Sequence, residues 1–163
     1  MYFDAQYKLE NLTNGDSKSM NVDGSSESVT FKYAIPDGEI WWLDKIDIFL
    51  LDEGTMGHAV FGSLGAALTN GVKMRIKKHG DDYVVKDIHD NVDLMMAFNQ
   101  NKMVGCTDNG FLNENDYYTG TMLFDPAIRL FGADGDLVKI VVEDDLTGID
   151  RFEAIARFWT PKG

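Results

Sequence analysis

Apolar and polar residues alternate with a period of two along most of this chain, the pattern of strands that bury one face and wet the other. In the first run Phe3, Ala5, Tyr7 and Leu9 fall on one side, opposite Tyr2, Asp4, Gln6 and Lys8. SVTFKYAI places Val29, Phe31, Tyr33 and Ile35 together and stops at Pro36-Asp37-Gly38. VKMRIKK sets Val72, Met74 and Ile76 against Lys73, Arg75 and Lys77, and a short YVV run follows the turn at His79 to Asp82. The runs YYTGTMLF, AIRLFG, DLVKIVV and RFEAIARFW complete the series, with Asp134-Gly135 as a hairpin turn. In the last of them Phe152, Ala154, Ala156 and Phe158 face one way, and Arg151, Glu153 and Arg157 the other.

One segment breaks the rule. Read as an unbroken alternation, EIWWLDKIDIFLLDEG has Ile40, Trp42, Ile46, Ile48 and Leu50 on one side, interrupted by Asp44. The other side holds Trp41, Leu43, Phe49 and Leu51, with Lys45 and Asp47 between them. A strand of a solvent-facing antiparallel sheet should show one clean polar face. The doubled apolar character therefore predicts that a loop or another subunit covers the second side, which makes Trp41, Leu43, Phe49 and Leu51 candidate interface residues.

The remaining segments connect strands. Polar stretches near 10–27 and 99–116 read as long loops, the first with turn signals at Asn14-Gly15 and Asp23-Gly24 and room for a short hairpin. GHAVFGSLGAALTNG is Gly-rich without a firm period. Ile88, Val92, Met95 and Met96 stand at helical spacing with Asp87 as a capping residue, although Val92, Leu94, Met96 and Phe98 also alternate. The expected fold is all-β: a single domain over 1–163, an antiparallel sandwich of about eight strands with at most one short helix. Two long loops among short hairpins favour Greek-key connections, and a jelly-roll is the first expectation.

Composition narrows the function. At 163 residues and 44% hydrophobic content the chain has material for one substantial core. With 27 acidic against 15 basic residues the formal charge is -12, which repels a phosphate backbone and gives an anionic membrane nothing to hold. Neither nucleic acid nor membrane is an expected partner. Cys106 is the single cysteine, so folding in a reducing cytoplasm is expected, without a disulfide or a thiolate zinc site. MYFDAQYKLENL lacks the basic start and apolar block of a signal peptide.

Motifs for catalysis are not found. His58, His79 and His89 lie in three different segments without an HExxH spacing, and neither a GxSxG elbow nor a GxxxxGK[ST] cradle occurs. Asp144 and Asp145 are adjacent, so on an extended strand they would point to opposite faces and share neither a proton nor a metal. Followed by Thr147 and Gly148, they read as a turn. ADGD at 133–136 and TDNGFLNEND at 107–116 lack the ligand spacing and closing glutamate of an EF-hand loop, and read as a hairpin turn and a solvated loop. Trp41, Trp42, Trp159, Tyr117 and Tyr118 are candidates for a sugar platform, though such residues more often fill cores and interfaces. No catalytic, cofactor or metal residue is assigned, and a non-enzymatic role is expected.

The succession GEIWWLDKIDIFLLDEG, FGSLGAALTNGVKMRI and DLVKIVVEDDLTGIDRFEAIARFW resembles small jelly-roll virion proteins of tailed bacteriophages, of the auxiliary or decoration type. The likeness spans Gly38 to about Trp159, and its most distinctive pieces are the LTNG turn at 68–71 and the DDLTG turn at 144–148. It implies a structural subunit assembling in many copies on a phage particle, with other copies and virion proteins such as the major capsid protein as partners. A trimer is the expected closed form for a jelly-roll with one covered outer face. In such an assembly the basic stripe Lys73, Arg75, Lys77 and Lys78 is expected to meet an acidic loop of a neighbour, such as Glu143 to Asp145. A carbohydrate- or receptor-binding module of a phage tail or neck is the alternative.

Overall fold

A computed structural model of the chain describes residues 1–11, 18–52, 56–98 and 116–161. Eight strands and one helix follow one another as β1 (Phe3–Lys8), β2 (Val29–Ala34), β3 (Ile40–Asp52), β4 (Val72–Lys78), β5 (Asp81–Ile88), α1 (Asn91–Phe98), β6 (Asp116–Phe131), β7 (Leu137–Val142) and β8 (Arg151–Thr160). They form two four-stranded antiparallel sheets, ordered β1-β8-β3-β6 and β2-β7-β4-β5. The pairs β1 with β8, β2 with β7, β3 with β6 and β4 with β5 nest inside one another, so the chain is a long hairpin rolled into a sandwich. That is the jelly-roll connection. YYTGTMLF and AIRLFG, read from sequence as two runs, join in the single strand β6.

The inner faces supply the core. Phe152, Ala154, Ala156 and Phe158 of β8 are all essentially inaccessible, as the alternation in RFEAIARFW predicts. They face Phe31, Met74, Ile76, Val138, Ile140 and Val142 from the second sheet. At one end an aromatic cluster fills the gap between sheets: Tyr7 stacks on Tyr33 at 4.2 Å, and Trp41 meets Phe158 edge-on at 5.4 Å. The Trp41 indole N–H donates to Glu39 Oε2 (2.6 Å), which lets a polar atom sit at the core margin.

β3 departs from the unbroken alternation. Its pairing shifts between Leu43 and Lys45: against the consecutive residues Arg157 and Phe158 of β8, Asp44 is an extra residue, a β-bulge, and β6 has a longer irregularity opposite it. One inserted residue reverses the phase of everything beyond it. Trp41 and Leu43 before the bulge, and Ile46, Ile48, Leu50 and Asp52 after it, therefore share the inner face. This corrects the expectation for Trp41 and Leu43, which are core residues of the single chain at 4% and 0% exposure. Phe49 and Leu51 do face outward, half-buried, and Trp42 joins them there.

The helix is real but its phase and cap differ from expectation. Asp90 caps it, accepting the Asp93 amide (2.8 Å), while Asp93 reaches back to the His89 amide (2.9 Å). Asp87 instead lies at the end of β5. Asn91, Leu94, Ala97 and Phe98 are buried, and Val92 and Met96 are exposed. Buried Asn91 also fixes the Gly-rich segment: its carbonyl accepts the Gly62 amide (2.8 Å), and its amide donates to the Gly62 carbonyl (3.0 Å) and to that of Gly57. Among the described residues no helix is long and apolar enough to cross a membrane.

Candidate functional site

The bulge at Asp44 decides what the outer face of the β1-β8-β3-β6 sheet presents. Trp42 is thrown outward, directly opposite Trp159 of β8 on one side and Arg129 of β6 on the other. Tyr2 packs edge-on against Trp42 at 5.0 Å, and the Arg129 guanidinium lies 5.6 Å from the Trp42 ring and 4.7 Å from Phe131. Opposite Asp44, β6 makes a four-residue excursion, Phe124 to Ala127, between the paired residues Leu123 and Ile128. Tyr2, Trp42, Trp159 and Ala127 thereby enclose an open hollow of about 400 Å³. Tyr2 and Trp159 are 56% and 42% exposed, so apolar surface stands in water here. Scattered exposed apolar residues are ordinary, but neighbours on a rigid sheet form a patch.

Farther along the same face a second hollow is lined by Lys45, Asp47, Phe49, Thr119, Thr121, Glu153, Ile155 and Arg157, among others. Its charges are matched within the chain. Arg157 pairs with Asp47, which also accepts from Thr121 Oγ1 (2.5 Å). Glu153 is held by Lys8 (3.1 Å) and Arg151 (3.0 Å). Burial pushes the Glu153 carboxyl up, but these two cations outweigh it and leave the group below its ordinary value. Paired in this way, both carboxylates tie neighbouring strands together across the face.

The sugar-platform candidates separate in space. Trp42 and Trp159 come together, Trp41 and Tyr118 are buried, and Tyr117 lies at the far end of the face, opposite Leu51. The basic stripe is on the other sheet and finds partners inside the chain. Lys73 pairs with Glu143, and Arg75 lies 3.9 Å from Asp82, which also takes Lys139 at 2.5 Å. The contact expected between subunits at Lys73 is thus made within one.

The two acidic neighbours that open DDLTG do different work. The Asp144 carboxylate accepts the successive amides of Thr69 (3.2 Å), Asn70 (3.0 Å) and Gly71 (2.7 Å), so it seats the LTNG turn. Asp145 accepts the amide (3.0 Å) and hydroxyl (2.6 Å) of Thr147 and closes its own turn. Gly71 has φ +85°, and a Cβ there would come within 2.3 Å of Asp87 Oδ1. Next to this turn His89 Nδ1 lies 2.9 Å from the Leu68 carbonyl, and Nε2 lies 3.2 Å from Asp87. The Leu68 carbonyl, and after it Asp87, hold the His89 imidazolium and raise its pKa above the ordinary 6.5.

A raised folded-state pKa stabilises the fold fully below the unfolded value of about 6.5, and that contribution disappears as pH rises through the folded value. An NMR titration should accordingly find the His89 midpoint above 6.5, and lower in Asp87→Asn. A midpoint at or below 6.5 would remove His89 from this role.

His79, Asp134 and Asp136 bring ligand atoms within 4.8 Å of one another. The arrangement was invisible in sequence because His79 is remote from the ADGD turn. Asp136 is fully buried, and its two oxygens accept the amides of His79 (2.8 Å) and Phe131 (2.8 Å). His79 Nδ1 lies 2.6 Å from Asp134. These bonds use the carboxylates to lock the ADGD turn, which is not the expected hairpin: β6 and β7 lie in different sheets, and a short 3-10 helix at Gly132–Asp134 carries the chain from one to the other. Cys106 and the 107–115 part of the second acidic loop lie outside the described residues.

No protein-family model matches this sequence, and no curated protein is significantly similar to it.

Proposed function

We propose that the protein is a non-enzymatic structural subunit of a bacteriophage virion, of the auxiliary or decoration type, acting through multi-copy assembly. The observation that carries this reading is the apolar patch of Tyr2, Trp42 and Trp159, held on the outer face of a rigid jelly-roll. Aromatic residues are the usual anchors of protein contacts, because one side chain removes a large apolar area from water at little cost in conformational entropy. The resemblance of GEIWWLDKIDIFLLDEG and its neighbours to phage jelly-roll subunits supplies the particle. In this reading the patch joins copies into a closed oligomer, and other virion proteins receive it.

The test is native mass at 0.5 M NaCl, where apolar contacts persist and charge contacts are screened. The wild type should be a closed oligomer, and Trp42→Ala/Trp159→Ala should weaken it by at least about thirtyfold, as expected for loss of hot-spot residues. A wild type that stays monomeric at about 100 μM, a concentration well above ordinary assembly constants, counts against the reading. Adjacent Trp42 and Trp159 beside a hollow of about 400 Å³ favour a second reading, a carbohydrate- or receptor-binding module. Glycan-array binding lost in the same double variant would select it.

A further inference from the structure

The outer face of the β2-β7-β4-β5 sheet is basic on a chain of net charge -12. Lys32 of β2 is the direct partner of Lys139 of β7, which is the direct partner of Arg75 of β4. All three side chains point outward, so three like charges stand shoulder to shoulder across the sheet. Directly opposed like charges on a sheet are destabilising. Lys73 and Lys77 extend the row along β4, bringing five of the fifteen basic residues onto one face. Asp82 serves both Lys139 and Arg75, and Lys73 has Glu143. Lys32 and Lys77 have no ion pair among the described residues, although Glu10 stands beside Lys32 across a backbone bridge and Asp82 stands directly opposite Lys77 on β5. Asp87 stands opposite Lys73 but is engaged with His89, so five cations stand beside four carboxylates, Glu10, Asp82, Asp87 and Glu143, and the face keeps a small positive excess.

The complementary surface lies at one end of the same molecule. The loops after β1 and after β7 meet there: Asp23 bridges Asp145, the Val22 carbonyl accepts the Leu146 amide (2.9 Å), and the Asn21 side chain donates to the carbonyls of Ile149 and Asp150. Asp23, Glu27, Asp145 and Asp150 are all exposed. A basic face and an acidic end at different places on one chain specify a heterologous, head-to-tail contact rather than a two-fold one. The overall negative charge disfavours a nucleic acid on the basic face and favours an acidic protein surface. We infer that the outer face of the β2-β7-β4-β5 sheet docks the acidic end of a second copy of this chain. This rests on the assembly reading above and adds a second contact to it, distinct from the aromatic patch.

Salt separates the two contacts, since a charge-held interface weakens with ionic strength and an apolar one does not. In sedimentation velocity the wild type should form larger species at 20 mM NaCl than at 0.5 M. Lys32→Glu/Lys77→Glu should keep its melting temperature within about 3 °C, as exposed substitutions do, yet lose the low-salt species, with an association constant at least about tenfold lower. Glu27→Lys/Asp150→Lys should lose it as well. Mixing the two variants should restore it, because each then offers what the other lacks. A low-salt species unchanged by the Lys32/Lys77 reversal, or equal mass at both salts, overturns the inference and leaves the high-salt oligomer to judge the assembly reading separately. Binding of a DNA duplex to the wild type, abolished by the same reversal, would overturn it in favour of a nucleic-acid partner.

Discussion

Trp41→Ala should lower the free energy of unfolding by about 3–5 kcal/mol, the range for deleting a large aromatic from a packed core, whereas Trp42→Ala should lower it by about 1 kcal/mol or less. The two residues are adjacent in sequence, identical in type and in the same strand. They differ because the Asp44 bulge places Trp41 among Tyr7, Tyr33 and Phe158, and Trp42 on the surface with Tyr2 and Arg129. Chemical denaturation of the two variants measures the difference, and an unchanged denaturant slope would confirm that both still unfold from the same native state. Equal losses, or a larger loss for Trp42→Ala, would mean that β3 runs without the bulge and that its inner face is the one read from an unbroken alternation.

That strand also shows where sequence reading reached its limit. In β2, β4 and β8 the period of two picks out the side that packs on the core, whereas in β1 Phe3 of the inward set stays exposed, and Asp134-Gly135 marks a turn between the two sheets and not a hairpin within one. Eight strands in nested pairs follow from this, because long-range pairing must bury each alternating face. In β3 the same rule gave two apolar faces and an apparent need for external cover. Asp44 was the available clue, a charge in the middle of an apolar row. Moving the phase by one residue there collects Trp41, Leu43, Ile46, Ile48 and Leu50 on one face and leaves Trp42, Phe49 and Leu51 on the other. The outer face still carries apolar residues, so the expectation of an interface moves from Trp41 and Leu43 to Trp42 and Trp159.

The patch itself was legible only in part. Trp42 and Trp159 are platform candidates by residue type, but nothing local to either predicts that they are cross-strand neighbours 117 positions apart in the sequence. Tyr2 joins them because β1 lies beside β8, and Ala127 because β6 bows out opposite Asp44. Such juxtapositions depend on register, which is set by the whole sandwich rather than by any one run. The like-charge row has the same origin: Lys32, Lys139 and Arg75 come from three separate segments, and only the pairing of β2, β7 and β4 aligns them.

Asp144→Ala should destabilise the fold by about 3 kcal/mol. Its carboxylate holds three consecutive amides of the turn entering β4. Hydrogen bonds to a charged group are worth about 1.5–3 kcal/mol each, and partial exposure of this site reduces their sum. Asp145→Ala should cost about 1 kcal/mol, since it removes only a local turn bond whose partners can turn to water. Asp144→Asn should fall between them, because one amide oxygen replaces two carboxylate oxygens. The cause is long-range: the residues joined by Asp144 are 73 to 75 positions apart, and the bond fastens the entry of β4 to the exit of β7 where those strands pair. Hydrogen exchange at the Thr69, Asn70 and Gly71 amides supplies the local readout. Their protection should fall in Asp144→Ala and persist in Asp145→Ala. If the two alanine variants prove equally stable and equally protected, the adjacent carboxylates are interchangeable solvated charges, and the LTNG and DDLTG turns are not fastened to one another by Asp144.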